Sequence, residues 1–374
     1  MEQSTKQKRN QRISWLINLA GVLAFGFILY LGGVEAWQQI IHGDWRFVLA
    51  AAAVTLLWNL VAAWRWSIIA KHLVDLPQGV PFRYYFTYHM LGMFIGQVVP
   101  ITVGMLGGRP VALSLSRGVS LKRAGLSVFV DKLFDLLLAL LLALPIALFL
   151  VKWIGLALAL SLMGAAALGA LVFIRLEFER GIVLVGKIGE RLSKPLARLP
   201  IFGPRLVRRI PDQFHRLTTT TLLPNRLAAR TYLLTLAMYF LLWARLYLIS
   251  QALNLNIPAY LLAMGISITQ LALIFSVTPG SLGFLEGGWA AVLGLGGLSV
   301  DQFSIFVIGR RAYVLVFTLI NTLLAFGWIR ESPARLFREV LSASRKGEIE
   351  TTEIIIDPNL THPSSLEGPL GNGE

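Results

Sequence analysis

Ten ionisable side chains stand inside long apolar stretches of this 374-residue chain. In the first half they are Arg65, His89, Arg109, Asp131, Lys132 and Asp135; in the second, Arg245, Glu286, Arg310 and Arg311. A charge at the centre of a hydrocarbon layer costs about 2.5–3.5 kcal/mol on insertion scales, so each needs a partner, a polar cavity or a route to an interface. Asp131 and Asp135 are four apart on one helical face, with Lys132 three before Asp135, a spacing that predicts an ion-pair network. Hydrolysis by paired carboxylates would need two acids converging on one site, and here a lysine lies between them. Glu286 has no basic neighbour in sequence and is expected to be buried against a functional or gating partner. Arg65, Arg245, Arg310 and Arg311 lie near the ends of their apolar runs, where snorkelling to an interface competes with a functional role. His89 reads as a satisfied polar residue rather than a proton relay.

The stretches that must position these groups dominate the composition. Apolar residues make up 56% of the chain and charged residues 14%, and cysteine is absent. Disorder, a disulfide scaffold and any cysteine-ligated zinc site are thereby excluded. Apolar runs of bilayer-crossing length fall at 13–33, 48–70, 85–106, 125–151, 154–174, 228–250, 258–278, 281–298 and 303–329. They lack the alternation of membrane strands, so a polytopic all-α membrane protein is expected. No metal site, cofactor motif or catalytic motif such as GxSxG, Walker A or HExxH stands in a credible context.

The net charge of +14, from 34 Lys and Arg against 20 Asp and Glu, admits either a nucleic-acid partner or a membrane topology signal. Its placement favours topology. Lys6, Lys8, Arg9 and Arg12 precede the first apolar run, which is longer than a cleaved signal peptide and predicts a retained helix with a cytoplasmic N-terminus. If 85–106 crossed the membrane, the loop at 107–124, with Arg109, Arg117, Lys122, Arg123 and no acid, would lie outside. The positive-inside bias opposes that, and Pro100, Gly104, Gly107 and Gly108 interrupt the run. A re-entrant hairpin at 85–116, entering from the cytoplasm, resolves both points. Residues 175–227 carry eleven basic and four acidic side chains, with apolar positions from Ile182 to Leu199 at helical spacing. That loop suits either an interfacial helix on an anionic inner leaflet or a solvated connector, and it lacks a nucleic-acid platform.

The broken segments match each other at an offset of 179 residues. Pro100 falls on Pro279, Gly104 on Gly283, and Gly107-Gly108 on Gly287-Gly288 after one inserted residue, with Gly280 completing the second break. The same offset carries Asp131-Lys132 onto Arg310-Arg311, and Arg65 to within one residue of Arg245. The predicted architecture has six full transmembrane helices and two re-entrant hairpins in an inverted-topology repeat, both termini being cytoplasmic. Its parts are a basic N-terminus (1–12), a first membrane repeat within 13–174, the basic loop 175–227, a second repeat over 228–330 and a disordered tail at 331–374. The second hairpin is 258–298, and 154–174 is the first helix of the second repeat.

Gly107-Gly108, Asp131-Lys132 and the late Pro279, Gly283 and Glu286 resemble motifs of the lysylphosphatidylglycerol synthase transmembrane (flippase-like) family. The resemblance covers most of 10–330. Arg109 stands where the family has Asp, Ala112 where it has Arg, and Lys132 where it has Arg, so the second half is the more typical. The resemblance implies handling of lipids, including movement of charged phospholipids between leaflets. The fused synthases need a further catalytic domain that the tail is too short to supply, so no lysyl transfer is expected. The expectation is a cytoplasmic-membrane lipid transporter, alone or as a homo-oligomer. Its site would draw on Glu286, Arg109, Arg245, Arg310, Arg311, Asp131, Lys132 and Asp135 to bind a phospholipid or lipid-linked precursor. A membrane-embedded glycosyl- or lipid-modifying enzyme, or a non-transporting partner protein acting through 175–227, remain alternatives.

Overall fold

The computed structural model describes residues 37–74, 76, 79–99, 104–196, 223–274, 278 and 280–329. The predicted helix at 13–33, the basic N-terminus, the centre of the basic loop, the tail, Pro100 and Pro279 lie outside the described residues. The described residues are all-helical: α1 Trp45–Leu73, α2 Phe82–Val98, α3 Arg109–Arg117, α4 Leu121–Leu150, α5 Leu156–Leu196, α6 Asn225–Ala252, α7 Ala259–Ile274, α8 Phe284–Leu295 and α9 Val300–Ile329. A π-helical turn, Gly104–Gly108, leads directly into α3. Five helices are long and apolar enough to cross a membrane: α1, α4, the Leu156–Phe178 part of α5, α6 and α9. At Glu177 (φ −138°, ψ 31°) α5 leaves helical geometry before continuing to Leu196. By contrast α2, α3, α7 and α8 have 17, 9, 16 and 12 residues, short of the ~20 that a crossing needs.

The long helices are apolar outside and polar inside, the reverse of a water-soluble bundle. On α1 the buried face holds Thr55, Asn59, Arg65 and Ser67, while Leu49, Leu57 and Trp64 are exposed. On α9 the buried face carries Ser304, Arg310, Thr318 and Asn321, and Leu319, Leu323 and Leu324 point out. An apolar exterior of this extent is expected for a surface solvated by acyl chains. Asp44 starts α1 by accepting the Arg46 N–H at 2.9 Å, and Gly118 (φ +65°) ends α3 with its N–H on Ser114 O at 2.8 Å.

At the centre α1 and α6 run antiparallel. The Asp44 N–H at the head of α1 reaches Ala252 O at the tail of α6 (3.1 Å), and Arg65 far along α1 reaches Thr235 early in α6 (2.7 Å). Two short helix pairs flank them. In the first, Gly96 lies against Gly104, Gly92 against Arg109, and Tyr88 hydrogen-bonds Ser116, so α3 doubles back along α2. In the second, Leu261 lies against Gly296, Gly265 against the Trp289 ring and Thr269 against Gly288, so α8 doubles back along α7. The pairs open toward opposite ends of the molecule. Tyr85 and Tyr88 cluster with Val74, Phe326 and Ile329 at the ends of α1 and α9, whereas Tyr260 meets Phe149 near the end of α4. The two pairs touch where the Gly280 N–H donates to Val99 O at 3.1 Å.

The close approach of α2 to the π turn depends on Gly104, where an added Cβ would lie 2.4 Å from Gly96 N. Gly104→Ala is expected to lower stability by about 1–3 kcal/mol, read as a lower unfolding midpoint in detergent. Gly287 belongs to the same motif yet faces open space, so Gly287→Ala should hold or raise the midpoint. Equal midpoints for the two variants would contradict this packing.

Candidate functional site

The predicted charged residues gather into two clusters on either side of the hairpin turns. In the first, the Arg65 guanidinium, with no exposed surface, donates through Nε to Asp131 Oδ1 at 2.8 Å. Its Nη1 reaches Asp135 Oδ1 at 2.5 Å and Thr235 Oγ1 at 2.7 Å, and its Nη2 reaches Asp135 Oδ2 at 3.1 Å. Asp131 Oδ2 accepts from Arg109 Nη1 at 3.1 Å, and Arg109 Nη2 meets His89 Nδ1. Because Nδ1 accepts, Nε2 is assigned as the proton-bearing nitrogen and donates to Asn59 Oδ1 at 3.1 Å. Lys132 Nζ takes the remaining side of Asp135 at 2.9 Å, and Tyr239 Oη donates to the Asp135 carbonyl at 3.1 Å. The cluster therefore joins α1, α2, α3, α4 and α6.

The second cluster is built on α8 and α9. Glu286 is fully buried in the first turn of α8, where Oε2 accepts the Gly283 N–H at 2.8 Å. A carboxylate there satisfies an orphan amide and complements the helix dipole. Its Oε1 accepts from Arg311 Nη1 at 2.5 Å, and Arg311 Nη2 donates to Gly280 O at 3.1 Å, tying α9 to the hairpin turn. Gly280 and Gly283 have φ of +57° and +81°, values that favour glycine at both ends of this turn.

Arg245 and Arg310 are different. Each is 7% exposed, each Nε is buried without an acceptor, and no hydrogen bond or ion pair reaches either guanidinium among the described residues. They lie over the rings of Trp58 and Trp289, at 5.6 and 5.9 Å from the ring centroids. Both face a cavity of about 490 Å³ whose polar lining also includes Gln97, Lys132, Asp135, Gln270 and Arg311. Leu133, Leu136, Met238, Leu242, Leu273 and Leu315 supply much of its apolar wall.

Of the residues singled out in the sequence, Lys132, Asp135, Arg245, Arg310 and Arg311 thus share one cavity. Arg109, Asp131 and Glu286 do not line it: Glu286 holds Arg311, which does, whereas Asp131 binds Arg65 and Arg109, neither of which reaches the cavity. Arg65 does not reach an interface, because the acids of α4 bind it inside. Gln97 and Gln270 went unremarked in the sequence, since a neutral amide in an apolar helix carries no charge signal. Among the described residues no group of three or more His, Asp or Glu side chains could hold a metal ion.

Removing one member of a buried pair strands its partner's charge, at about 3–5 kcal/mol. Asp131→Asn, which weakens the hold on both Arg65 and Arg109, should lose stability on that scale in detergent unfolding. Lys132 is one-third exposed, and Lys132→Gln should cost under about 1 kcal/mol. A small loss for Asp131→Asn would show that the network does not hold these helices.

No curated protein matches this chain. The family model for the lysylphosphatidylglycerol synthase transmembrane region matches residues 15–321, which takes in both charge clusters, both hairpins and the five long helices up to the middle of α9. The chain is an integral multi-pass membrane protein that belongs to the lysylphosphatidylglycerol synthase transmembrane family.

Proposed function

We propose that this protein moves an anionic phospholipid or lipid-linked precursor across the cytoplasmic membrane through the cavity between the two hairpins. The observation that carries the proposal is the pair of buried arginines, Arg245 and Arg310, facing that cavity with no hydrogen-bonded or ion-paired carboxylate among the described residues. Arginine presents a planar fork that binds phosphate oxygens in bidentate fashion. The leucines and methionine around it offer an acyl chain a wall it can wet.

In this proposal the hairpins are re-entrant, entering from opposite faces, and the two halves form an inverted repeat with six crossings once the 13–33 helix is counted. Both termini and the 175–227 loop lie on the cytoplasmic side, the loop against the anionic inner leaflet. Three features support the arrangement. The central helices α1 and α6 are antiparallel, the hairpins open toward opposite ends, and helix contacts come in matched sets. Thus α2 packs on α9 as α7 packs on α4, and α3 packs on α4 as α8 packs on α9. Breaks that meet inside the protein are where transporters of inverted-repeat design place their substrate. A catalytic reading has less support, because Asp131, Asp135 and Glu286 are each engaged by a cationic side chain.

Arg311 links Glu286 to the turn of the second hairpin, so it stands between an empty and an occupied cavity. Transport of a fluorescent phospholipid in reconstituted vesicles should exceed that in protein-free vesicles. Glu286→Gln and Arg311→Ala should each slow it about tenfold, the scale of one charge-assisted hydrogen bond. Wild-type movement no faster than the protein-free rate would sink the proposal.

A further inference from the structure

The charge around the cavity does not balance. Six cationic side chains (Arg65, Arg109, Lys132, Arg245, Arg310 and Arg311) face three carboxylates (Asp131, Asp135 and Glu286), an excess of three. The carboxylates are distributed unevenly. Arg65, Arg109, Lys132 and Arg311 each contact one, at 2.5–3.1 Å, whereas Arg245 and Arg310 contact none among the described residues. A guanidinium cannot shed its proton to escape this situation.

The mismatch has a definite origin in the chain. Across the 179-residue offset, Arg65 falls within one residue of Arg245 and Asp131 on Arg310. The first pair closes as an ion pair at 2.8 Å; in the second an arginine occupies the place of the acid, and both cations face the cavity. Each is held over a tryptophan ring and is more than nine-tenths buried, so neither can snorkel to water.

Resting on the lipid-transport reading above, we infer that Arg245 and Arg310 form a seat for a doubly charged terminal phosphate (a monoester or a diphosphate) carried by a lipid, rather than for the phosphodiester of an ordinary phospholipid. Arg245 has no carboxylate beside it, and Arg310 feels only the charge of Glu286, which Arg311 already holds, so two cations in a low-dielectric site still call for added negative charge. A phosphodiester brings one, with two free oxygens. A terminal phosphate brings about −1.5 to −2 at pH 7 and three acceptor oxygens, enough for two forks. The apolar wall of Leu133, Leu136, Met238, Leu242, Leu273 and Leu315 fits a ligand whose remainder is hydrocarbon, which distinguishes it from free phosphate.

The test is lipid occupancy of the purified full-length protein by native mass spectrometry. Phosphatidic acid and phosphatidylglycerol with matched acyl chains are offered together, with inorganic phosphate alone in a separate arm. Phosphatidic acid should be favoured about tenfold, a difference of ~1.4 kcal/mol. Arg245→Gln and Arg310→Gln should bring the two lipids to parity, and inorganic phosphate alone should not bind. Arg310→Asp recreates the acid of the first half, so it should abolish the preference while holding or raising the unfolding midpoint. That midpoint separates loss of the seat from loss of the fold. Equal binding of the two lipids, with both lost in the arginine variants, would overturn the terminal-phosphate inference and leave anionic-lipid transport standing. Lipid binding unaffected by either arginine would overturn both. Inorganic phosphate binding as tightly as phosphatidic acid would overturn the lipid part of the inference.

Discussion

Arg65 cannot lie in an apolar layer until something surrounds it, and the way it is surrounded organises half of the protein. Four of its guanidinium N–H groups are spread over Asp131, Asp135 and Thr235, so α4 and α6 must both close on α1. Asp131 then has one oxygen left, which Arg109 takes, and Arg109 in turn meets His89, which donates to Asn59 on α1. The chain of contacts therefore begins and ends on the same helix and passes through α2, α3 and α4. A buried ion pair is weak evidence for net stability, because desolvation offsets most of the attraction. Its stronger effect is on register. Sliding any of these helices by one residue would strand a charge, and that penalty selects one arrangement among several of similar apolar burial.

The second half uses fewer charges and leaves two of them bare. There the hydrogen bonds go to the hairpin turn: Glu286 accepts the N–H of Gly283, the residue that caps α8, Arg311 holds Glu286 and the Gly280 carbonyl, and the Gly280 N–H holds Val99. A network that closes on itself fixes a scaffold. One that ends on open arginines has capacity left for a ligand. At the 179-residue offset Asp131 falls on Arg310, so the first network holds an acid where the second holds an arginine.

Much of the scaffold could be read from residue order. The five described spans lie within about four residues of the apolar runs that predict them, because apolar runs in membranes end where charge and turn residues end them. The short pairs α2–α3 and α7–α8 fall on the runs broken by glycine and proline. What could not be read was direction. A helix that is apolar on every side has no face that marks its interior, so the sequence cannot say whether Arg65 turns toward Asp131 or toward an interface. The same limit hid the split between Arg109, which starts the return helix of the first hairpin and backs Asp131, and Arg310, which follows the second hairpin and faces the cavity.

Glu286 ties the start of α8 to α9. Oε2 is held by an amide of its own helix, a contact that persists as long as α8 keeps its first turn. Oε1 is held by Arg311 from another helix, and the other end of that fork holds Gly280, whose N–H reaches the first hairpin. An anion arriving at Arg310 comes within one residue of Arg311 and competes with Glu286 for its fork. If Arg311 turned to the anion, Glu286 would keep its amide and lose its cation, and the Gly280 carbonyl would lose its donor. The backbone bond from Gly280 to Val99 would then remain as a polar tie between the hairpins. If the cavity takes an anionic lipid as proposed, ligand charge and hairpin contact would be coupled through Arg311, and an uncharged lipid, having nothing to offer Arg311, would leave its bonds to Glu286 and Gly280 in place.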